Sequence, residues 1–243
     1  MPAGLDAAST VRFPPGLEAP SPAPFSGLNL GTHVGDDLEQ VQRNRHWLKT
    51  ALALPQEPTW LEQIHSNRVV NLAHCAGRER ESTEGEQADA MVAFDQGVCA
   101  VMTADCLPVL LCDQKGRTIA AAHAGWRGLA AGILENTVAA MNTRPQTLMA
   151  WLGPAIGPAA FEVGAEVVEA FVSQQPAAEA CFQATDETHY LADIYGLARL
   201  RLKACGVDYI YGGEYCTYLD SGRFYSYRRD GQTGRMASLI WFK

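Results

Sequence analysis

Two histidines and one cysteine stand where chemistry could be done. His65 in WLEQIHSNRVV, Cys106 in VMTADCLPVLLC and His123 in AAAHAGWRG each close a short apolar run. Two imidazoles and a thiolate supply enough protein donors for a zinc ion with one coordination position open, the arrangement of a catalytic rather than a structural centre. Each residue also has an ordinary reading. A lone histidine more often sits at a surface or in a hydrogen bond, and Cys106 beside Leu107 and Pro108 reads equally as core. Spacing does not decide between the two readings, because no compact metal motif such as HExxH is present. Only the fold can bring the three together.

The runs that carry them read as strands of an α/β protein. VCAVMTA (98–104) and TIAAAHA (118–124) are short and made of small and branched apolar residues, as expected of strands covered on both faces, and they are expected to be neighbours in one sheet. Gly125 then allows a sharp turn, and Leu129, Ile133, Leu134, Val138 and Met141 recur at helical spacing. Helices are predicted over 37–52, behind a cap at Asp36, and over 163–174 and 193–205. Strands are predicted over 59–65, 67–73, 147–152 and 208–213, and FYSYRRDGQTGRMASLIWF reads as a final hairpin turning at Asp230-Gly231. His65, Cys106 and His123 then fall at or just beyond the C-terminal ends of strands, where α/β sheets form their ligand crevice. The polar run 77–87 reads as a solvated loop.

Composition narrows the setting. With 243 residues, 47% of them hydrophobic, the chain can bury a large core. A proline-rich arm over 1–26, lacking a clear first strand, followed by a single catalytic domain over 27–243, is the expected organisation. No apolar stretch reaches the roughly 18–20 residues of a membrane span, and the start lacks the features of a signal peptide, so a cytoplasmic location is expected; the chain is also expected to be a monomer. Seven cysteines form no CxxC pair, which argues against a disulfide framework or a four-cysteine zinc module. A net charge of −8 argues against nucleic acid as a partner, so any phosphate on a substrate must be met by local arginines.

The strings GLNLGTHVGDD, WLEQIHSNRV, VMTADCLPVLLC, AAAHAGWRGLAAGILE, WLGPAIGPAAFEVG, LADIYGLARLRL and FYSYRRDGQTGRMASLIWF occur in order from about residue 25 to the C-terminus. Together they resemble the YfiH-type proteins in their bacterial single-domain form. These are variously called polyphenol oxidases or laccase-domain proteins, purine nucleoside phosphorylases and peptidoglycan editing factors. The resemblance implies that His65, Cys106 and His123 bind zinc. It also implies a layered α/β fold, a mixed β core flanked by helices, similar to cytotoxic necrotizing factor catalytic domains. The chain departs from the family near its start, where Thr10-Val11-Arg12-Phe13-Pro14-Pro15 replaces a Thr-Arg pair followed by a Gly-Gly turn.

The family's names disagree about chemistry, and the residues arbitrate. A multicopper oxidase needs a blue site and a trinuclear centre fed by many histidines, commonly in HxH pairs, whereas this chain has six histidines and no HxH. Copper at the two-histidine, one-cysteine site would be adventitious. Phosphorolysis needs cations and backbone N–H groups to hold phosphate, and Arg127, just before a helix, supplies both. Arg228, from the cluster Arg223, Arg228, Arg229 and Arg235, is the second phosphate candidate. The resemblance implies phosphorolysis of adenosine, inosine, guanosine and 5'-methylthioadenosine, with adenosine deamination. Zinc favours the latter by bringing the pKa of a coordinated water to about 7. Asp105 or Glu162 could serve as proton donor. The rival reading is an amidase that removes wrongly incorporated L-serine from a UDP-linked muramyl precursor, with Cys106 as nucleophile and His123 as base. A zinc-retaining binding module is a weaker rival, since structural zinc sites usually close with four protein donors.

Overall fold

Along TIAAAHA the side chains alternate between two cores. Ala120, Ala122 and Ala124 face a helix layer, while Ile119 and Ala121 face a second sheet, so both sides of this strand are covered. A residue such as Ile119, fully buried, contributes about 1.5–3 kcal/mol through area removed from water. The structure, a computed structural model, describes residues 1–75 and 85–243, and no side chain is described at 74 and 75.

In chain order the elements are β1 (Leu5–Ser9), α1 (Leu38–Ala51), β2 (Val69–Asn71), α2 (Leu72–Cys75), β3 (Ala90–Phe94), β4 (Val98–Thr103), β5 (Leu107–Asp113) and β6 (Thr118–Ala124). There follow α3 (Trp126–Ala130), α4 (Ile133–Ala140), β7 (Leu148–Leu152), β8 (Glu162–Gly164), α5 (Ala165–Val172), β9 (Phe182–Ala184) and β10 (His189–Ala192). The chain continues with α6 (Ile194–Ala204), β11 (Tyr209–Gly212), α7 (Tyr227–Asp230) and β12 (Met236–Phe242). A six-stranded mixed sheet runs β11-β7-β5-β6-β3-β2, and a three-stranded antiparallel sheet runs β1-β12-β4. The small antiparallel sheet β8-β10-β9 stands apart. The layers are α1, the three-stranded sheet, the six-stranded sheet, and a helical layer containing Leu129, Leu134, Leu197 and Leu202.

The layered α/β expectation holds, with instructive local differences. β4 and β6 are not hydrogen-bonded neighbours: β4 pairs with β12, β6 pairs with β3 and β5, and the two meet face to face across the sheet–sheet core. Both strands are buried on both sides, and that pattern does not say to which sheet a strand belongs. The final hairpin is absent. The Ser226 hydroxyl accepts from Arg229 N–H and starts the helical turn α7, leaving β12 as a single strand between β1 and β4. The N-terminal segment does carry a strand, β1, on the edge of that sheet. No strand forms over 59–65, where only a Glu62–Gln87 bridge is made. The run 67–73 divides between β2 and α2. Asp37, not Asp36, caps α1 by accepting from Gln40 N–H, while Asp36 accepts from Asn29. The helix after Gly125 breaks at Gly132, whose φ of 92° ends α3 before α4 starts. Most of the polar run 77–87 lies outside the described residues.

Candidate metal centre

Register puts the site together. β3 pairs Ala90 with Ala122, and β5 pairs Pro108 with His123, so the residue before β3 and the residue before β5 flank the end of β6 from either side. These residues are Asp89 and Cys106. By the alternation of β6, His123 shares the face of Ile119 and Ala121 and emerges at that strand's end. His65 comes from the loop before β2.

The donor atoms of His65, Cys106 and His123 all lie within 4.8 Å of one another, so the three predicted ligands converge. Cys106 Sγ is 3.7 Å from His65 Nε2, and the two imidazoles meet edge to face at 4.9 Å between centroids. His123 is buried, Cys106 half-buried and His65 exposed, so the cluster is reached from the side of His65 and Cys106. That side is a cavity of about 440 Å³ walled by His33, Gln63, Met102, Tyr227 and Arg235. A larger groove of about 680 Å³ along α1, from Glu39 to Thr50, is open surface with no such donor group on it.

Asp89, absent from the sequence expectations, organises the donors. Its carboxylate is fully buried and accepts from His123 Nδ1 at 2.8 Å, from the N–H groups of His65 (2.9 Å) and Ser66 (2.6 Å), and from the Ser66 hydroxyl (2.7 Å). Its backbone carbonyl accepts the His123 N–H at 2.7 Å. With its proton held on Nδ1, a neutral His123 turns the Nε2 lone pair toward Cys106 and the cavity, where it could bind a metal ion. His65 sits at φ 60°, a left-handed conformation that costs a non-glycine residue about 1–3 kcal/mol unless its surroundings hold it there. Asp89 does so through the flanking N–H groups. No sequence signal marks it, since a single Asp before AMVAF is indistinguishable from a turn residue.

Gly125 supplies the floor. A Cβ there would lie 2.8 Å from His65 Cδ2 and 3.0 Å from Cys106 Sγ, so the site needs the absence of a side chain rather than a special backbone angle. Gln63 fixes the other flank: its amide donates to Met102 O at 2.8 Å and accepts from Met102 N–H at 2.7 Å, tying the His65 loop to β4.

Asp105 reaches the site through the backbone. At φ 92° it turns the chain into Cys106, and its buried carboxylate accepts from Thr217 Oγ1 (2.6 Å), Ser226 Oγ (3.0 Å) and Arg228 N–H (2.7 Å). Glu162 is exposed on β8, and its carbonyl accepts from the Arg228 guanidinium at 2.9 Å. Arg127 is exposed and stacks on Trp126, 4.5 Å from the ring centroid. Arg127, Arg228, Glu162 and Asp105 do not line the cavity, whereas Arg235, from the same basic cluster, does.

Burial alone would push the Cys106 thiol up, but the neighbouring imidazoles of His123 and His65 bring it down to about 6. Burial likewise opposes a charged His123, yet the Cys106 thiolate and Asp89 carry it up to about 9. Asp89 stays below the usual carboxylate range. Its burial works against this, and the hydrogen bonds from His123 and Ser66 overcome it. Two nitrogens and a thiolate, one nitrogen oriented by a carboxylate and a third side open to a cavity, fit a transition-metal ion of the zinc or copper kind.

The sequence model of the family described as multi-copper polyphenol oxidoreductase laccase matches residues 17–243. The chain is 51% identical over 242 residues to a protein of Escherichia coli K12 named purine nucleoside phosphorylase YfiH, covering 99% of this chain and 95% of that one. A Haemophilus influenzae protein named purine nucleoside phosphorylase is 48% identical over 224 residues, covering 91% and 89%. The crystal structure of a Neisseria meningitidis protein superposes with a TM-score of 0.91 at 50% identity over all of this chain and 96% of that one. YlmD from Geobacillus stearothermophilus gives 0.89 at 32% identity, over 99% and 93%. With a family model spanning nearly the whole chain and relatives half identical along its length, this chain belongs to the YfiH-type family, described as multi-copper polyphenol oxidoreductase laccase.

Proposed function

We propose that this protein is a zinc-dependent purine nucleoside phosphorylase that takes adenosine, inosine, guanosine and 5'-methylthioadenosine and also deaminates adenosine. The observation that carries the reading is the three-donor group, oriented by Asp89 and opening onto a cavity of about 440 Å³. The names of relatives at 48–51% identity support the substrate class. His65, Cys106 and His123 would hold the metal, and zinc, when bound, supplies a Lewis acid at the cavity floor. The chain's own groups do the rest. Asp89 keeps the His123 proton on Nδ1, Gln63 and Met102 fix the wall on which the substrate rests, and Arg235 brings positive charge to the same wall.

Copper oxidation finds little support despite the family's description. Among the described residues this is the one group of three metal-capable side chains, so no trinuclear copper centre accompanies it. The amidase reading draws on one observation. Without metal, Cys106, His123 and Asp89 form a thiolate–imidazolium–carboxylate series, the arrangement of a cysteine nucleophile with its base and orienting group.

Chromatography of zinc-assayed protein separates these readings. Phosphate-dependent release of purine base from adenosine or inosine, and phosphate-independent conversion of adenosine to inosine, are expected. Release of L-serine from a UDP-muramyl-L-serine substrate, with neither purine product, would establish the amidase instead. About one zinc per chain, lost in Cys106→Ala, is expected, and a metal-free protein with full activity would end the zinc mechanism.

A further inference from the structure

The chain carries a net charge of −8, yet two arginines without an ion-pair partner among the described residues meet at one seam of the cavity. Arg235 lines the metal-side chamber. Arg45 lines a second chamber of about 470 Å³ that shares the walls His33, Gln63 and Met102 with the first. His33, an exposed side chain that lines both chambers, stands between them with no hydrogen-bond partner among the described residues.

The backbone builds this seam. Leu30 N–H donates to Arg235 O at 3.1 Å, Arg235 N–H donates to Asn29 Oδ1 at 2.9 Å, and Arg45 gives Nε and Nη2 to Leu30 O at 3.0 and 2.8 Å. The segment 29–31 is therefore clamped between the two arginines, and His33 follows it into the gap. Gly31 is needed for this approach, because a Cβ there would lie 2.8 Å from Arg235 Cγ. Carbonyl oxygens hold the guanidinium groups in place, Arg235 on Thr233 and Gly234, while Trp60 backs Arg45 at 4.4 Å. Among the described residues, donors remain unused on both: Nη1 of Arg45, and Nε and Nη2 of Arg235. Burial and the two arginines hold His33 below its ordinary pKa, against a smaller opposing influence from Glu62. Near Arg235, the Asp105 carboxylate already accepts three hydrogen bonds. Partly buried, unpaired guanidinium groups with free donors, aimed into a cavity, are the chemistry of an oxyanion site.

We infer that Arg235 and His33, with Arg45 behind them, bind a phosphate group at the seam of the two chambers, beside the metal donors. The inference rests on the phosphorolytic reading for the source of that phosphate, which is either free orthophosphate or the phosphate of a nucleotide.

The test is calorimetric binding of inorganic phosphate and, separately, of adenosine 5'-monophosphate to zinc-saturated and metal-free protein. It is repeated on Arg235→Gln and His33→Asn, with melting temperature and zinc content measured alongside. Loss of a charge-assisted contact should weaken phosphate binding about tenfold in Arg235→Gln and a few-fold in His33→Asn, with folding and zinc content unchanged. In phosphorolysis the half-saturating phosphate concentration should rise while that for nucleoside stays level. Tighter binding of the monophosphate, with orthophosphate ignored, would assign the seam to a nucleotide. Phosphate binding without purine release from any nucleoside would keep the site and remove the phosphorolytic reading. Wild-type affinity for both probes in Arg235→Gln, or no binding of either by the wild-type protein, would overturn the inference.

Discussion

His123 Nδ1 lies 2.8 Å from Asp89 Oδ1, and the His123 N–H lies 2.7 Å from the Asp89 carbonyl, so one residue fixes both the backbone and the tautomer of the most buried donor. The same carboxylate holds the His65 loop. Asp89→Asn replaces one acceptor oxygen by an N–H₂ that faces N–H donors. Metal affinity should fall about 10–100-fold. Competition against a chelator of known affinity measures this, and a variant that keeps its metal as tightly as the parent would show that Asp89 does not organise the centre.

Gly125→Ala should empty the centre while leaving the fold intact. The added methyl would lie 2.8 Å from His65 Cδ2 and 3.0 Å from Cys106 Sγ, displacing both donors, while φ at this position is an ordinary −61° that alanine adopts freely. Elemental analysis beside circular dichroism reads the two effects separately. A full complement of metal in this variant would contradict the packing argument.

Cysteine alkylation in metal-free protein should follow the thiolate. Cys106 is expected to react with a half-point near pH 6, whereas Cys112, pushed up by burial to about 11, stays unreactive at neutral pH. Below about pH 6 the thiol is protonated and labelling slows; above it, the rate levels off. Added zinc should protect Cys106. Mass-spectrometric mapping of iodoacetamide adducts against pH checks this, and a Cys106 profile rising only above pH 8 would refute it.

Asp105→Ala should act on stability before chemistry. It leaves Thr217 Oγ1, Ser226 Oγ and Arg228 N–H without their acceptor, a loss of about 3 kcal/mol and a fall in Tm of roughly 6–12 °C. Differential scanning calorimetry reads it. An unchanged Tm with lost activity would instead mark Asp105 as the proton donor.

The three donors were legible because each closes a short apolar run, and the strings that hold those runs carry the family resemblance. β6, β7, α6 and the mixed α/β class were legible because the apolar pattern reports burial, whereas the layered arrangement followed from the family resemblance. What periodicity cannot report is partnership. β4 and β6 look alike yet belong to different sheets, and the Asp230-Gly231 turn signal lost to the Ser226 cap. Asp89 was illegible because its importance lies in what five distant groups donate to it. Arg235, rather than Arg127 or Arg228, reached the cavity because β12 pairs with β4 and Gly31 makes room for its stem.

The seam where Leu30 and Asn29 meet Arg235 also orders the assembly of the site during synthesis. All three donors, with Asp89 and Gly125, have been synthesised when about half the chain is made. Arg235, and the groups at 217–228 that grip Asp105, arrive with its final part. A nascent chain therefore holds the three candidate ligands, with Gln63 and Met102, well before it holds Tyr227 and Arg235, the last part of the cavity wall.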